Sequence, residues 1–174
     1  DTNPLDGCKP IPDEAFEDLP RVLDETCKFW PQPHKRDLYL SASLGYLSGV
    51  MPKVEGYWGA NVPSAVEPNL YVAGVLGAAG GKGVVSHAKS LVNGVAESIQ
   101  SDSVKERQKW ERKRKDAENE DVPFDDPEPI PRTLLVPANI SQAQLMHQLA
   151  GQSGRGIISS SEIDTLNDTL GQDW

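Results

Sequence analysis

The chain has 174 residues, 37% of them hydrophobic, a mean hydropathy of -0.48 and a formal charge of -9. That length supports a core, but the apolar share is below the globular norm, so part of the chain must lie outside it. The acidic balance argues against a whole-protein electrostatic grip on nucleic acid and leaves only a local basic patch for that purpose. No apolar run approaches the roughly 20 residues that span a bilayer.

Residues 1–12 hold three prolines and predict an irregular lead-in. The chain opens without a basic start or an apolar stretch, so no signal peptide is expected. Cys8 and Cys27 lack metal-ligand or redox spacing, which points to a reduced, cytoplasmic setting. A disulfide between them is the unsupported alternative. From Asp13 the pattern is helical: Leu19, Leu23, Cys27 and Trp30 recur at helical spacing, with Pro20 near the start of the longer piece. Pro31 and Pro33 end it. A second helix is expected from about Lys35 to Val50, with Leu40, Leu44, Leu47 and Met51 as its apolar stripe and Pro52 as its stop. These helices make residues 1–53 a helical N-terminal region.

Residues 54–68 are rich in glycine, proline and aromatics and read as loop, with one short extended piece around Tyr57 and Trp58. The run Asn69 to Leu76 is nearly all apolar, lies between Pro68 and a glycine cluster, and predicts a strand buried on both faces. A helix should follow, with Val84, Val85, Ala88, Leu91, Val92, Val95 and Ile99 on one face. It continues into a charged arm. Lys105 to Lys115 contains seven basic and two acidic residues, and Asp116 to Glu128 contains seven acidic and no basic ones. The acidic stretch, with its prolines, predicts a mobile connector, so that residues 101–131 form an inserted arm and linker. Order should return with a strand at Thr133 to Val136, a helix capped by Ser141 and ended by Gly151, a strand at Gly154 to Ser159 and a short helix from Ile163 to Leu170. No internal repeat is present.

The segment Leu76-Gly77-Ala78-Ala79-Gly80-Gly81-Lys82-Gly83 has the makings of a phosphate loop. Small residues let consecutive backbone N–H groups turn inward around phosphate oxygens. A helix start adds unpaired N–H groups and a favourable dipole, and a lysine reaches the β- and γ-phosphates. Two positions depart from G-x-x-x-x-G-K-[ST]: Leu76 stands where glycine is usual, and Gly83 where a Mg²⁺-binding hydroxyl is usual. The bland alternative is a tight turn with an incidental lysine. Glu162 and Asp164, at a predicted strand end, are candidates to hold Mg²⁺ and orient water, against the ordinary alternative of acids at a helix start. The basic run Lys105 to Lys115, with Trp110 inside it, could bind DNA; the more ordinary reading is a solvated arm balanced by the acids that follow. His34, His87 and His147 are too dispersed to suggest a metal site, although His87 is close enough in sequence to approach the loop.

Several stretches resemble a family of poorly characterised P-loop proteins of bacterial mobile elements, found beside or fused to primase and helicase modules. The likeness runs through Arg36-Asp-Leu, Leu44-Gly-Tyr-Leu-Ser-Gly-Val-Met-Pro52, Pro68-Asn-Leu-Tyr71 and Gly80-Gly-Lys-Gly83. It resumes at Val136-Pro-Ala-Asn139, Gly154-Arg-Gly156 and Glu162-Ile-Asp-Thr-Leu166. It covers about residues 15–174, broken by the charged arm. The family's loop carries proline and serine where this chain has Gly77, Ala78 and Gly80. The resemblance implies an ATPase-like module tied to DNA replication or mobilisation, with Lys82 on phosphate and Glu162 and Asp164 on metal and water.

The expected fold is therefore α/β: a partial P-loop parallel-sheet core of about three main strands over residues 54–174, behind the helical N-terminal region. The expected ligands are ATP and Mg²⁺. The expected partners are DNA or replication proteins and a second copy in a homo-oligomer, with no membrane. P-loop ATPase sheets have more strands and a later arginine, so the chain is expected to be a fragment whose last strand has an unpaired edge. The rival expectation is a non-catalytic interaction or scaffolding module with a degenerate loop.

Overall fold

The computed structural model describes residues 7–51, 54–57, 65–75, 81 and 83–160. They divide between two units, Asp1–Leu91 and Val92–Trp174. The class is α/β, as expected, with five α-helices and a small parallel sheet among the described residues. Among the described residues no helix is long and apolar enough to cross a membrane.

In the first unit a 3₁₀ turn at Asp13–Phe16 precedes α1 (Arg21–Cys27), which Pro20 opens as its N-cap. Asp18, at φ 58°, separates the two, so the predicted helical stretch is in two pieces. α2 spans Pro33–Ser48, with Pro33 in its first turn, where a missing N–H costs nothing. The lead-in is tied to α2. Ile11 N–H donates to Asp37 at 2.9 Å, and the Arg36 guanidinium meets Asp13 at 2.8 Å and lies over the Phe16 ring at 3.9 Å. A two-residue antiparallel ladder joins β1 (Gly56–Tyr57) to β2 (Ala65–Val66). α3 spans Gly83–Ser90.

The buried face of α2 keeps Leu40 of the expected stripe but is otherwise turned from it. Tyr39, Leu40, Ala42, Ser43 and Tyr46 are buried, whereas Leu44 and Met51 are 44% and 43% exposed. The reason is size. Ala42 and Ser43 on α2, and Ala88 on α3, are small enough for the two helices to pack closely, and the Ser43 and Ala88 side chains lose all solvent exposure. Leucine at these positions would hold the helices apart.

A second expectation fails in this unit. Residues 69–75 are not a strand and are not buried: they are irregular, with Tyr71 99% and Val75 75% exposed. An all-apolar run becomes a buried strand only where neighbouring strands satisfy its N–H and C=O groups. Among the described residues the only ladders are β1 with β2 and β3 with β4. The run instead lies along α2, where glycines admit it. A Cβ at Gly45 would come within 3.0 Å of Val72 Cγ2, and one at Gly74 within 2.8 Å of Leu38 Cδ1. The continuation, Leu76 to Gly80, lies outside the described residues.

In the second unit α4 (Asn93–Asn119) carries the charged arm. It is separated from α3 by a turn at Leu91 and Val92 rather than continuous with it. β3 (Leu135–Pro137), α5 (Gln142–Ala150) and β4 (Ile157–Ser159) form a parallel crossover unit with Leu135 opposite Ile157 and Pro137 opposite Ser159. The Ser141 hydroxyl caps α5 by accepting from Gln144 N–H. The core here is Leu134, Val136, Ala138, Leu145 and Ile157. The parallel sheet thus has two strands among the described residues, not three.

The expected mobile connector is a strap along α4. Trp110 Nε1 donates to the Asp126 carbonyl at 2.8 Å, and Phe124 packs edge-on to the indole with centroids 5.7 Å apart. Lys113 pairs with Asp126 and Arg107 with Glu128, both at 3.1 Å, while Arg132 pairs with Glu106 at 2.8 Å and donates its N–H to Ser103 Oγ. The acids that follow the basic run are folded back on it. Each exposed pair contributes only about 0.2–1 kcal/mol, so the aromatic contact and the backbone acceptor matter as much as the charges.

Candidate functional site

α3 begins at Gly83, directly after the glycine segment singled out in the sequence. Gly81 has φ 94°, a conformation that L side chains rarely adopt, and its carbonyl accepts from Val84 N–H at 2.9 Å. Val84 and Ala88 are 2% and 0% exposed and anchor the helix in the core, so its N-terminus is fixed relative to α2. Of the site residues read from the sequence, Gly81 and Gly83 are described; Gly77, Ala78, Ala79, Gly80 and Lys82 lie outside the described residues. Gly83 is exposed, and a Cβ there would meet nothing within 4 Å. The missing hydroxyl at this position is therefore not a steric requirement of the fold.

The structure adds a residue that the sequence did not suggest. Lys35, in the first turn of α2, lays its stem against Gly81. A Cβ on Gly81 would sit 3.1 Å from Lys35 Cε and 3.7 Å from its Cδ. The backbone angle favours glycine at Gly81, and a Cβ there would further require the Lys35 stem to give by a few tenths of an ångström. The separation of 46 positions from Lys35 to Gly81 hides the pairing from any local pattern; only the packing of α2 on α3 creates it.

His87 packs edge-on against Trp30 with centroids 5.5 Å apart. Glu162 and Asp164 lie outside the described residues; the described chain leads to them from β4 through Ser160. In parallel sheets ligands gather beyond the carboxyl ends of the strands, and Ser160 follows such an end. An open depression of about 370 Å³ in the second unit is lined by Asn93, Ala96, Glu97, Gln100, Thr133 and Leu135. None of the sequence-predicted residues lines it.

Comparison of the chain with protein-family models, curated proteins and solved structures returned no match. Function therefore has to be argued from the residues. Among the described residues no cluster of histidine, cysteine or acidic side chains could hold a metal ion. Cys8 is exposed, Cys27 is buried and both are free, so the alternative disulfide is absent. Burial raises the Cys27 thiol pKa, the Arg36 charge offsets this in part, and Asp24 adds to it.

Proposed function

We propose that the glycine segment 77–83 binds the phosphates of ATP, with Lys82 neutralising the β- and γ-phosphate charge. In this reading Glu162 and Asp164 serve Mg²⁺ and the attacking water, and the chain is a module of an ATPase- or helicase-like protein acting in DNA replication or mobilisation. The observation that carries it is the helix start: Gly81 in a left-handed conformation leads directly into α3, whose N-terminus is anchored by Val84 and approached by the Lys35 stem. A helix N-terminus fixed behind a glycine turn offers N–H groups and a dipole to an anion. The test is calorimetric titration of the full chain with MgATP. Saturable heat should be seen with wild type, with affinity lowered about tenfold or more in Lys82→Ala, the loss of one charge-assisted contact. Identical titrations would sink the proposal.

A second reading has its own observation. Leu70, Tyr71, Val72 and Val75 are 53%, 99%, 46% and 75% exposed, an apolar run suited to a protein partner. Here the chain is a non-catalytic interaction module with a degenerate loop. Steady-state phosphate release above that of a Glu162→Gln control would rule this reading out.

A further inference from the structure

The strap divides the cations of α4 into two sets. Arg107, Lys113 and Trp110 lie, with Ser103 and Glu106, on the face covered by the returning chain. Lys105, Lys109 and Arg112 recur four and three residues apart and so share the opposite face, with Lys115 at its margin. All four are exposed. Among the described residues Lys109, Arg112 and Lys115 have no ion-pair partner, and Lys105 meets only Asp102 of the preceding turn, at 3.2 Å. With a rise of about 1.5 Å per residue, Lys105 to Arg112 is a row of positive charge about 10 Å long.

We propose that this row is a binding surface for the phosphate backbone of nucleic acid. The overall charge of -9 would oppose such binding if the acids were evenly spread, but two acids of the strap are paired away from the row. Asp126 and Glu128 are paired on the far face, and Glu118 is paired with Arg114. Asp102, paired with Lys105, and Asp116, one turn beyond Arg112, are the acids beside the row. The row offers long flexible cations and no aromatic group, because the Trp110 indole is held on the other face by Asp126 and Phe124. Such a surface suits a uniform line of phosphates. It reads no bases, so binding is sequence-independent, of micromolar to sub-millimolar strength and steeply salt-dependent. This inference is independent of the nucleotide loop and does not require it.

The experiment is fluorescence anisotropy of a labelled single-stranded DNA of about 20 nucleotides with the full chain, between about 50 and 200 mM salt. Wild type binds, and the triple variant Lys109→Glu, Arg112→Glu and Lys115→Glu loses at least about tenfold in affinity. The variant Lys109→Gln, Arg112→Gln and Lys115→Gln flattens the log–log salt slope by about 2, three contacts at about 0.7 each. The double variant Arg107→Gln and Lys113→Gln, which removes strap-paired cations, stays within about twofold of wild type. Circular dichroism checks that every variant keeps its helix content. Absence of wild-type binding, equal binding by the triple charge-reversal variant, or an equal loss in the strap-paired variant overturns the proposal. So does displacement of the DNA by poly-glutamate as readily as by unlabelled DNA, which would make the surface a site for acidic protein.

Discussion

Trp110 and Asp126 are joined by a hydrogen bond of 2.8 Å from the indole N–H to a main-chain carbonyl, across 16 positions of sequence. This bond holds a run of acidic residues against the basic helix from which they follow. It also decides which cations of α4 are paired with the returning chain.

Replacing Trp110 with alanine removes both the donor and the edge-on contact with Phe124. The ion pairs that remain are half exposed and are individually weak. The strap should detach while α4 stays helical, at a cost of about 1–2 kcal/mol in local stability. Hydrogen exchange should show faster exchange across residues 121–131 with protection retained in α4. Unchanged exchange in the strap would show that the charges alone hold it.

Gly151 should not tolerate alanine. The helix ends there, as the sequence suggests, with Gly151 at φ -70°, an ordinary helical value that does not itself require glycine. The left-handed residues are Ser153 and Gly154, at φ 58° and 76°. What excludes a side chain at Gly151 is Ile130, whose Cγ2 and Cβ would be 2.5 and 2.8 Å from the added Cβ. Gly151→Ala should cost about 1–3 kcal/mol in urea unfolding. The added methyl should cost less in an Ile130→Gly background, which lacks both obstructing atoms, than in wild type if Ile130 is the obstacle.

Cys27 should be slow to alkylate in the folded chain and Cys8 fast, because one thiol is buried and the other exposed. A thiol titration should count one group per chain before denaturation and two after. The sign of the pH effect follows from the raised pKa of Cys27. Below the ordinary thiol pKa of about 8.5 both folded and unfolded forms keep the proton, and the contribution to stability is flat. As pH rises through that value the unfolded chain ionises first, so stability falls. Cys27→Ser should remove that alkaline decline, and a decline of equal size in the variant would assign it to other groups.

Gly83→Ser tests whether the loop is one hydroxyl short of binding magnesium. The open space around Gly83 accommodates the side chain without displacement. If the nucleotide reading holds, the variant should bind ATP several-fold more tightly in Mg²⁺ than in EDTA, a dependence larger than that of wild type. Equal behaviour of the two proteins would mean that the α3 start does not position residue 83 toward a metal.

Much of the second unit was legible in the residues. Ser141 before an apolar helical repeat, Gly151 at its end, and two short β-prone runs around it predict the crossover that β3, α5 and β4 form. Caps and periodicity are local, and a local signal survives folding when each element finds its partner nearby in sequence. The breaks in the helical segments were less legible, because a positive φ at Asp18 and a turn at Val92 interrupt a pattern that periodicity continues through.

What the sequence by itself determined is the helical character of the segments that form α1, α2 and α5, the parallel pairing around α5, the glycine-to-helix junction at Gly83 and the alternation of basic and acidic blocks; the expected helix from Ile163 to Leu170 lies outside the described residues. Tertiary structure alone decided the rest. Asn69 to Val75 reads as a buried strand, yet a strand needs partners for its backbone, and the described residues supply none. The face of α2 was set by the closeness that Ala42, Ser43 and Ala88 permit rather than by its leucines. Lys35 reaches Gly81, and the acidic strap reaches Trp110, through contacts between positions far apart in the chain. Such contacts leave no local trace because their energy comes from excluding water and pairing charge between surfaces that only folding brings together.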